Sequence, residues 1–223
     1  MTPDELLKEG HILARPCVHL TRQGSDYAGV WGGMGVVPLR DARFRHWLSV
    51  ACRAVPGEHG LTGCVSVYTN QEDRATGLVL VNRQAALPPI PDGIKLYAQP
   101  ATCFPPLDAI FRYGSAAVQT WLRANQWRPE WGYSPQFRDH QVTALCASAY
   151  QEQLDLKGRA IDAVLGGWPM PWRVGDWEER PDRQLLLWTW QNSPPWIELW
   201  HDRGQLRVVP VSYTHLDVYK RQG

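Results

Sequence analysis

The stretch LLLWTWQNSPPWIELWHDRGQLRVVP, residues 185–210, decides the predicted fold. It contains three apolar runs, 185–190, 196–200 and 206–210, which an Asn-Ser-Pro-Pro turn and an Asp-Arg-Gly turn separate. Short runs rich in aromatic and branched residues, bounded by Pro and Gly, are typical of strands joined by tight turns. This stretch therefore predicts a three-stranded antiparallel meander.

Similar runs fill the first half of the chain, where clusters of Gly, Pro, Asn and Asp separate them at hairpin-like intervals. These predicted strands cover residues 12–20, 27–31, 44–53, 64–69, 78–82 and 95–99. A capping-box spacing with Pro3 at the first helical position predicts a short helix over 3–9, ending at Gly10.

Two longer helices are predicted in the middle of the chain. Ser115 is a good N-cap for a helix that runs to Asn125, and apolar residues three and four apart predict another over 139–153. We expect both to pack on the sheet. The predicted fold class is therefore α+β, with a mainly antiparallel sheet, two packed helices and the C-terminal meander.

We expect one domain over residues 1–210, because a chain of this length can bury one substantial core. The remainder, VSYTHLDVYKRQG (211–223), resembles a peptide that recurs at the ends of unrelated metagenomic open reading frames, where sequencing adapter has been translated. We interpret it as a non-native tail. The alternative is a true final strand, because Tyr213, Leu216 and Val218 have fair strand propensity.

Composition argues against several classes of protein. No apolar run approaches the roughly 20 residues of a membrane span, and the polar, acidic N-terminus does not resemble a secretory signal, so we expect a cytoplasmic protein. A formal net charge of +1 without a basic block argues against nucleic-acid binding. The five cysteines form no CxxC pair and the histidines no HxH or HExxH, so we expect neither a metal ion nor a cofactor.

Tryptophan is the compositional feature that bears on function, since the chain has 12. Trp168, Trp172 and Trp177 share the Gly- and Pro-rich segment 164–182 with Asp176. Rings held outward by such a segment bind sugars, bases or partner side chains. The same rings could equally pack over the underlying core, so both interpretations stay open.

A second candidate binding surface lies in the meander. Alternation along a strand places Trp196, Glu198 and Trp200 on one face, which we expect to be the wetter one, while Ile197 and Leu199 point inward. An aromatic pair on either side of a carboxylate suits a binding surface, although it could also meet another element of the fold.

A nucleophile has weaker support, because no GxSxG motif is present. The best Cys–His combination would join Cys64 to His46 or His59, since all three lie near the same predicted sheet. Buried thiols and structural histidines are the alternative. We therefore predict no catalytic residue.

The C-terminal third resembles the YwqG-like family of uncharacterised bacterial proteins. The similarity rests on Leu165-Gly166-Gly167 with Pro169, on the leucine run 185–187, and on Gly204 before Leu206. Trp188 stands where that family has glutamine. The resemblance implies no catalytic residues.

Aromatic richness without a catalytic signature favours a protein-binding module, such as an immunity or accessory protein of a toxin or phage system. An immunity role predicts a neighbouring toxin gene. The first alternative is a hydrolase of a small or carbohydrate-like substrate, with the loop tryptophans as a stacking platform and Asp176 or Glu178 as acid or base. The second is a structural or phage-associated subunit. The sequence leaves the partner and the oligomeric state open.

Overall fold

A computed structural model of the chain describes residues 3–36, 39–72, 77–83, 86–105, 107–124, 161–168, 183–189 and 196–211. The strands in these ranges are β1 (Arg15–Thr21), β2 (Tyr27–Trp31), β3 (Phe44–Ala51), β4 (Cys64–Asn70), β5 (Gly77–Asn82), β6 (Ile94–Cys103), β7 (Ile161–Gly166), β8 (Arg183–Thr189), β9 (Trp196–Asp202) and β10 (Gln205–Val211). They form one antiparallel sheet in the order β10-β9-β8-β7-β1-β6-β2-β3-β4-β5.

The sheet curls until its two edge strands approach each other, which makes a nearly closed cylinder. Edge strand β5 lies against edge strand β10, since a Cβ atom added to Gly77 would come within 2.7 Å of Val208. Register shifts in β1, β2, β3 and β8 increase the local twist that such curling needs. Leu48 from β3 and Leu199 from β9 share one core cluster, which flat packing of the sheet would not allow.

Short helices cover part of the outer face of this sheet. They are α1 (Pro3–Ile12), α2 (Leu107–Tyr113) and α3 (Ala116–Ala124). Leu6, Ile110 and Leu122 from these helices pack in a second core cluster with Cys17 and Trp200 from the strands. Alternation of side chains along the strands explains why the core consists of two clusters, because Cys17 points to the opposite face of β1 from its neighbouring core residues.

The predicted α+β class is wrong, because the sheet dominates the described part of the chain and the helices there are short. The predicted helix 115–125 is α3, whereas 139–153 lies outside the described residues. Of the predicted tail 211–223, Val211 ends β10 opposite Trp196, and 212–223 lie outside the described residues. The meander strands β8, β9 and β10 continue the same sheet rather than standing beside a helical layer.

Two elements differ from their predicted form. Strand β7 was missed, because its end, Gly166, was assigned to a Gly- and Pro-rich loop; β7 in fact joins the meander to β1. Helix α1 continues past Gly10 to Ile12, since the missing side chain of Gly10 lets the helix pack on the Phe104 ring. Within the described ranges, no helix combines the length and the apolar character needed to cross a membrane.

Candidate functional site

An open cleft of about 710 Å³ lies on the outer side of the sheet, beside β2, β3 and β4. The turns at the strand ends supply its lining: Asp26 precedes β2, Arg53 lies in the 3₁₀ turn Cys52–Ala54 after β3, and Arg83 follows β5. The rest of the wall is mainly apolar, with two hydroxyl side chains, and includes Ser25, Tyr27, Ala51, Leu61, Thr62, Gly63, Ala86 and Leu87. The cleft therefore combines an apolar wall with charged groups at its rim.

The charges at this cleft are unequal, with two guanidinium groups and one carboxylate. Nη2 of Arg53 donates to Oδ1 of Asp26 at 2.9 Å and to the carbonyl oxygen of Tyr27 at 2.7 Å. Because Nη2 makes both bonds, Nε and Nη1 are the donors that a ligand would meet. Arg83 adds a second positive charge, and the described lining holds no second carboxylate to balance it. The cleft consequently favours anions over cations.

Tyr27 closes one side of the cleft as a neutral hydrogen-bond donor. Its hydroxyl donates to the carbonyl oxygen of Pro88 at 2.9 Å, which fixes the ring against the segment that carries Leu87. Burial, with a smaller contribution from Tyr97, raises the pKa of Tyr27 above its ordinary value. The phenol therefore stays protonated at neutral pH.

A chain of buried polar groups runs along β3 and β4 behind the cleft. Nδ1 of His46 is 2.6 Å from the carbonyl oxygen of Gly32, and Nε2 is 2.8 Å from Oγ of Ser49. Ser49 lies directly opposite Ser66, and their hydroxyl oxygens are 2.6 Å apart. These three polar side chains thus form one continuous hydrogen-bonded network.

The direction of each bond in this network follows from the donors available. A carbonyl oxygen accepts only, so Nδ1 of His46 carries the proton and Nε2 accepts from the Ser49 hydroxyl; Ser66 then donates to Ser49. Burial lowers the pKa of His46, and its bond to the Gly32 carbonyl opposes that shift only in part. Hence His46 is neutral at pH 7.

Serine bonded to a neutral histidine is an arrangement that nucleophilic catalysis uses, but substrate has no access here. Ser49 is fully buried and Ser66 nearly so. The 32–36 loop lies over the histidine, since a Cβ atom on Gly35 would come within 3.0 Å of the His46 ring. This network holds the loop to the sheet and does not open into the cleft.

The Cys–His pair considered from the sequence does not assemble. Cys64 is buried against Ala51 and Leu87, and burial raises the pKa of its thiol. His46 is engaged with Ser49, and His59 bonds locally to the Val55 carbonyl and the Leu61 amide. Among the described residues, no hydrogen bond joins Cys64 to either histidine.

The predicted tryptophan sites are buried where the structure describes them. Trp168 lies in the outer core cluster, and its Nε1 donates to the carbonyl oxygen of Leu13 at 2.9 Å. Glu198 and Trp200 are also buried, so the prediction that they lie on a wetter face is wrong. Trp196 begins β9, but its side chain is not among the described ones. Trp172, Asp176 and Trp177 lie entirely outside the described residues. Their binding role stays a prediction.

The cleft residues Asp26, Arg53 and Arg83 were missed by the sequence analysis. They follow no motif, and they come together only because β2, β3, β4 and β5 are neighbours in the sheet. The sequence could have indicated this cleft only if the four strands had been predicted to pair as successive hairpins, because that pairing brings their turns together. In the part of the chain that is described, no three His, Cys, Asp or Glu residues lie close enough to hold a metal ion.

We compared the chain with protein-family models, with curated proteins and with solved structures, and found no match. The resemblance to the YwqG-like family stays a prediction. The cleft and its charges are therefore the features of the molecule that bear on its function.

Proposed function

We propose that the chain is a cytoplasmic binding protein whose cleft receives an acidic group of a protein partner, and that it acts without catalysis. The observation that carries this proposal is the position of Arg53 and Arg83 on one cleft of about 710 Å³. Guanidinium groups bind carboxylates through paired, charge-assisted hydrogen bonds. An immunity or accessory role in a toxin or phage system is a function of this kind.

The fixed position of Arg53 supports binding in this cleft. Its bonds to Asp26 and to the Tyr27 carbonyl hold the guanidinium before a ligand arrives, so little side-chain entropy is lost on binding. Arg83 is exposed and supplies the unbalanced charge. A carboxylate at the rim would thus meet one hydrogen-bonded guanidinium and one exposed guanidinium.

The absence of an activated nucleophile among the described residues at the cleft supports binding over catalysis. Ser49, Ser66 and Cys64 on β3 and β4 are nearly or fully buried. The exposed cleft hydroxyls of Ser25 and Thr62 make no hydrogen bond to a histidine within the described part of the chain. The alternative of a hydrolase that uses Asp176 or Glu178 stays a prediction, because both lie outside the described residues.

The test is an NMR titration of the isotopically labelled chain with a short acidic probe, acetyl-Asp-Glu-Asp-amide. We expect shifts at the backbone amides of Arg53, Thr62 and Gly63, with a Kd on the order of 1 mM, the affinity that a few charge-assisted bonds give to a flexible peptide. The neutral probe acetyl-Asn-Gln-Asn-amide is the control. Equal binding of the two probes would contradict the proposal.

Matched variants locate the binding. Arg83→Gln and Arg53→Gln should each weaken binding of the acidic probe several-fold, because each removes one guanidinium. Arg45→Gln makes the same change of charge on exposed Arg45, which does not line the cleft, and should leave affinity unchanged. If all three variants bind alike, the site lies elsewhere.

A further inference from the structure

Two cysteines from neighbouring strands meet on the outer face of the sheet. Cys17 lies opposite Ala101 and Cys103 lies opposite Arg15, so the cysteines share a face one diagonal step apart. A Cβ atom on Gly167 would be 2.7 Å from Cβ of Cys103 and 3.1 Å from Cβ of Cys17. Both Cβ atoms therefore approach the same point, and a small shift of the two strand backbones would bring them to the separation that a disulfide requires.

The surroundings of the two thiols shift their pKa values in opposite directions. Interaction with Cys17 lowers the pKa of Cys103 against the opposing effect of burial, whereas interaction with Cys103 and burial both raise the pKa of Cys17. As a thiol, Sγ of Cys103 donates to the carbonyl oxygens of Phe104 at 3.7 Å and of Trp168 at 3.8 Å. The backbone N–H of Trp168 donates to Sγ of Cys103 at 3.3 Å, and the nearby charge of Arg15 lowers the pKa of Cys103 further. Cys103 is the sulfur that these contacts prepare to react as a thiolate.

The Trp168 ring packs in the same outer core cluster as the cysteine pair. The indole of Trp168 lies beneath the guanidinium of Arg15, whose central carbon is 3.4 Å from the ring centroid, and packs against exposed Tyr113. The bond from Nε1 of Trp168 to the Leu13 carbonyl holds the ring in place. Because Trp168 is itself buried, a small reagent reaches Cys103 only when this ring moves aside together with Arg15 and Tyr113, a movement on the outer face that leaves the interior of the cylinder closed.

We propose that Cys17 and Cys103 form a thiol–disulfide exchange site that reacts with low-molecular-weight disulfides. The Cys103 thiolate attacks one sulfur of the small disulfide RSSR, which forms a Cys103–S–S–R bond and releases RS⁻. Cys17 then loses its proton and attacks Sγ of Cys103, which closes the Cys17–Cys103 disulfide and releases the second RS⁻. Both protein thiols are oxidised, RSSR is reduced to two RSH, and the two thiol protons end on the leaving groups.

The test uses the native full-length chain and oxidised glutathione, followed by non-reducing digestion and mass spectrometry. We expect a Cys17–Cys103 cross-linked peptide that has lost two hydrogen atoms, with the NMR spectrum of the rest of the sheet retained. The neighbouring pair Cys52 and Cys64 is an internal control, because burial raises the pKa of both thiols, that of Cys52 to about 11. We expect that pair to remain reduced.

Variants distinguish exchange at this site from unspecific oxidation. Cys17→Ser should trap the glutathione adduct on Cys103, whereas Cys103→Ser should leave Cys17 unmodified. Arg15→Gln, which removes the nearby positive charge, should slow cross-linking roughly fivefold, while Arg45→Gln should not change the rate. The Arg15→Gln comparison stands even if a serine in the core impairs folding.

Three results would overturn the proposal. The first is a folded wild-type chain in which Cys17 and Cys103 stay reduced at oxidant concentrations that modify free cysteine. The second is cross-linking of Cys52 to Cys64 at an equal rate. The third is a reaction that Arg15→Gln does not slow.

Discussion

Nε1 of Trp200 donates a 3.0 Å hydrogen bond to Oε2 of Glu198, two residues earlier on β9, and both side chains are fully buried. Alternation puts them on the same face of the strand, toward the outer core cluster. The indole thus supplies both apolar contact and one of the donors that a buried carboxylate requires.

A double-mutant cycle measures this bond. Trp200→Phe should lower the free energy of unfolding by about 3 kcal/mol, because it leaves a cavity and removes the donor from a buried carboxylate. In a Glu198→Leu background the same substitution should cost about 1 to 2 kcal/mol less. Urea unfolding monitored by far-UV circular dichroism gives both values. Strict additivity would show that the bond contributes nothing.

His19 should make the fold less stable in weak acid. Burial lowers its pKa from 6.5 to about 4, and its Nδ1 has no hydrogen-bond partner among the described atoms. Between these two pH values the unfolded chain binds a proton that the folded chain does not. The free energy of unfolding should therefore fall by about 3 kcal/mol as the pH is lowered from 6.5 to 4.

The measurement is urea unfolding at several pH values for the wild type and for His19→Gln. Other groups also titrate in this range, so the difference between the two proteins isolates His19. We expect the fall in the free energy of unfolding between pH 6.5 and 4 to be about 3 kcal/mol smaller in the variant than in the wild type. An unchanged pH dependence would mean that the His19 ring is solvated in the folded state.

The two buried serines should contribute differently to the free energy of unfolding, because Ser49 lies in the middle of the hydrogen-bonded network and Ser66 at its end. Ser49→Ala removes the hydrogen-bond partner of Nε2 of His46 and of the Ser66 hydroxyl and should cost about 2 kcal/mol. Ser66→Ala removes one donor to Ser49 and should cost about 1 kcal/mol. Ser25→Ala, at an exposed position, is the control for loss of a hydroxyl. A larger cost for Ser66→Ala in thermal unfolding would reverse the inferred bond directions.

Gly167 is required both for its backbone conformation and for the space beside the cysteine pair. Its φ is +74°, and a Cβ atom there would lie 2.7 Å from Cβ of Cys103. Gly204 has a similar φ of +77° with open space around it. In denaturant unfolding, Gly204→Ala should cost about 1 kcal/mol from backbone strain, and Gly167→Ala about 2 kcal/mol more from overpacking. Equal costs would show that Cys103 can move aside.

The contact between the edge strands can be tested by a compensating pair. Gly77→Ala should destabilise the fold by about 1 to 3 kcal/mol, because the new methyl group would overlap Val208. Val208→Ala should remove most of that penalty, while Val79→Ala, elsewhere on β5, should not. The melting temperatures of the single and double variants report the effect. Absence of any rescue would argue that β5 and β10 do not meet.

Strand positions were predictable because their signals are local. Residues 27–31 were assigned to a strand with the bounds that β2 has, and 44–53 and 64–69 match β3 and β4 within two residues. Turn residues and apolar runs define such segments without reference to the rest of the chain. Strand β7 was lost for the same reason, because Gly166-Gly167 carries a strong local turn signal at the end of a true strand.

The candidate site was less predictable than the strands. Arg53 and Arg83 are ordinary exposed residues in sequence, and the thiol pair joins positions 17 and 103, which no motif relates. Trp168 was recognised as notable, but the sequence could not decide between an exposed ring and one buried over Cys103. Each of these relationships depends on which strands become neighbours.

Local sequence patterns place most of the strands, though not β7 or the ends of β1 and β6, and show which residues of a strand share a face, since alternation and turn chemistry act over a few residues. The curl that brings β5 to β10, and the cover of helices and the Trp168 segment on the outer face, arise from packing between parts of the chain that are distant in sequence. Glu198 and Trp200 illustrate the reason. Alternation places both on one face, but burial depends on what packs against that face, and distant parts of the chain supply it.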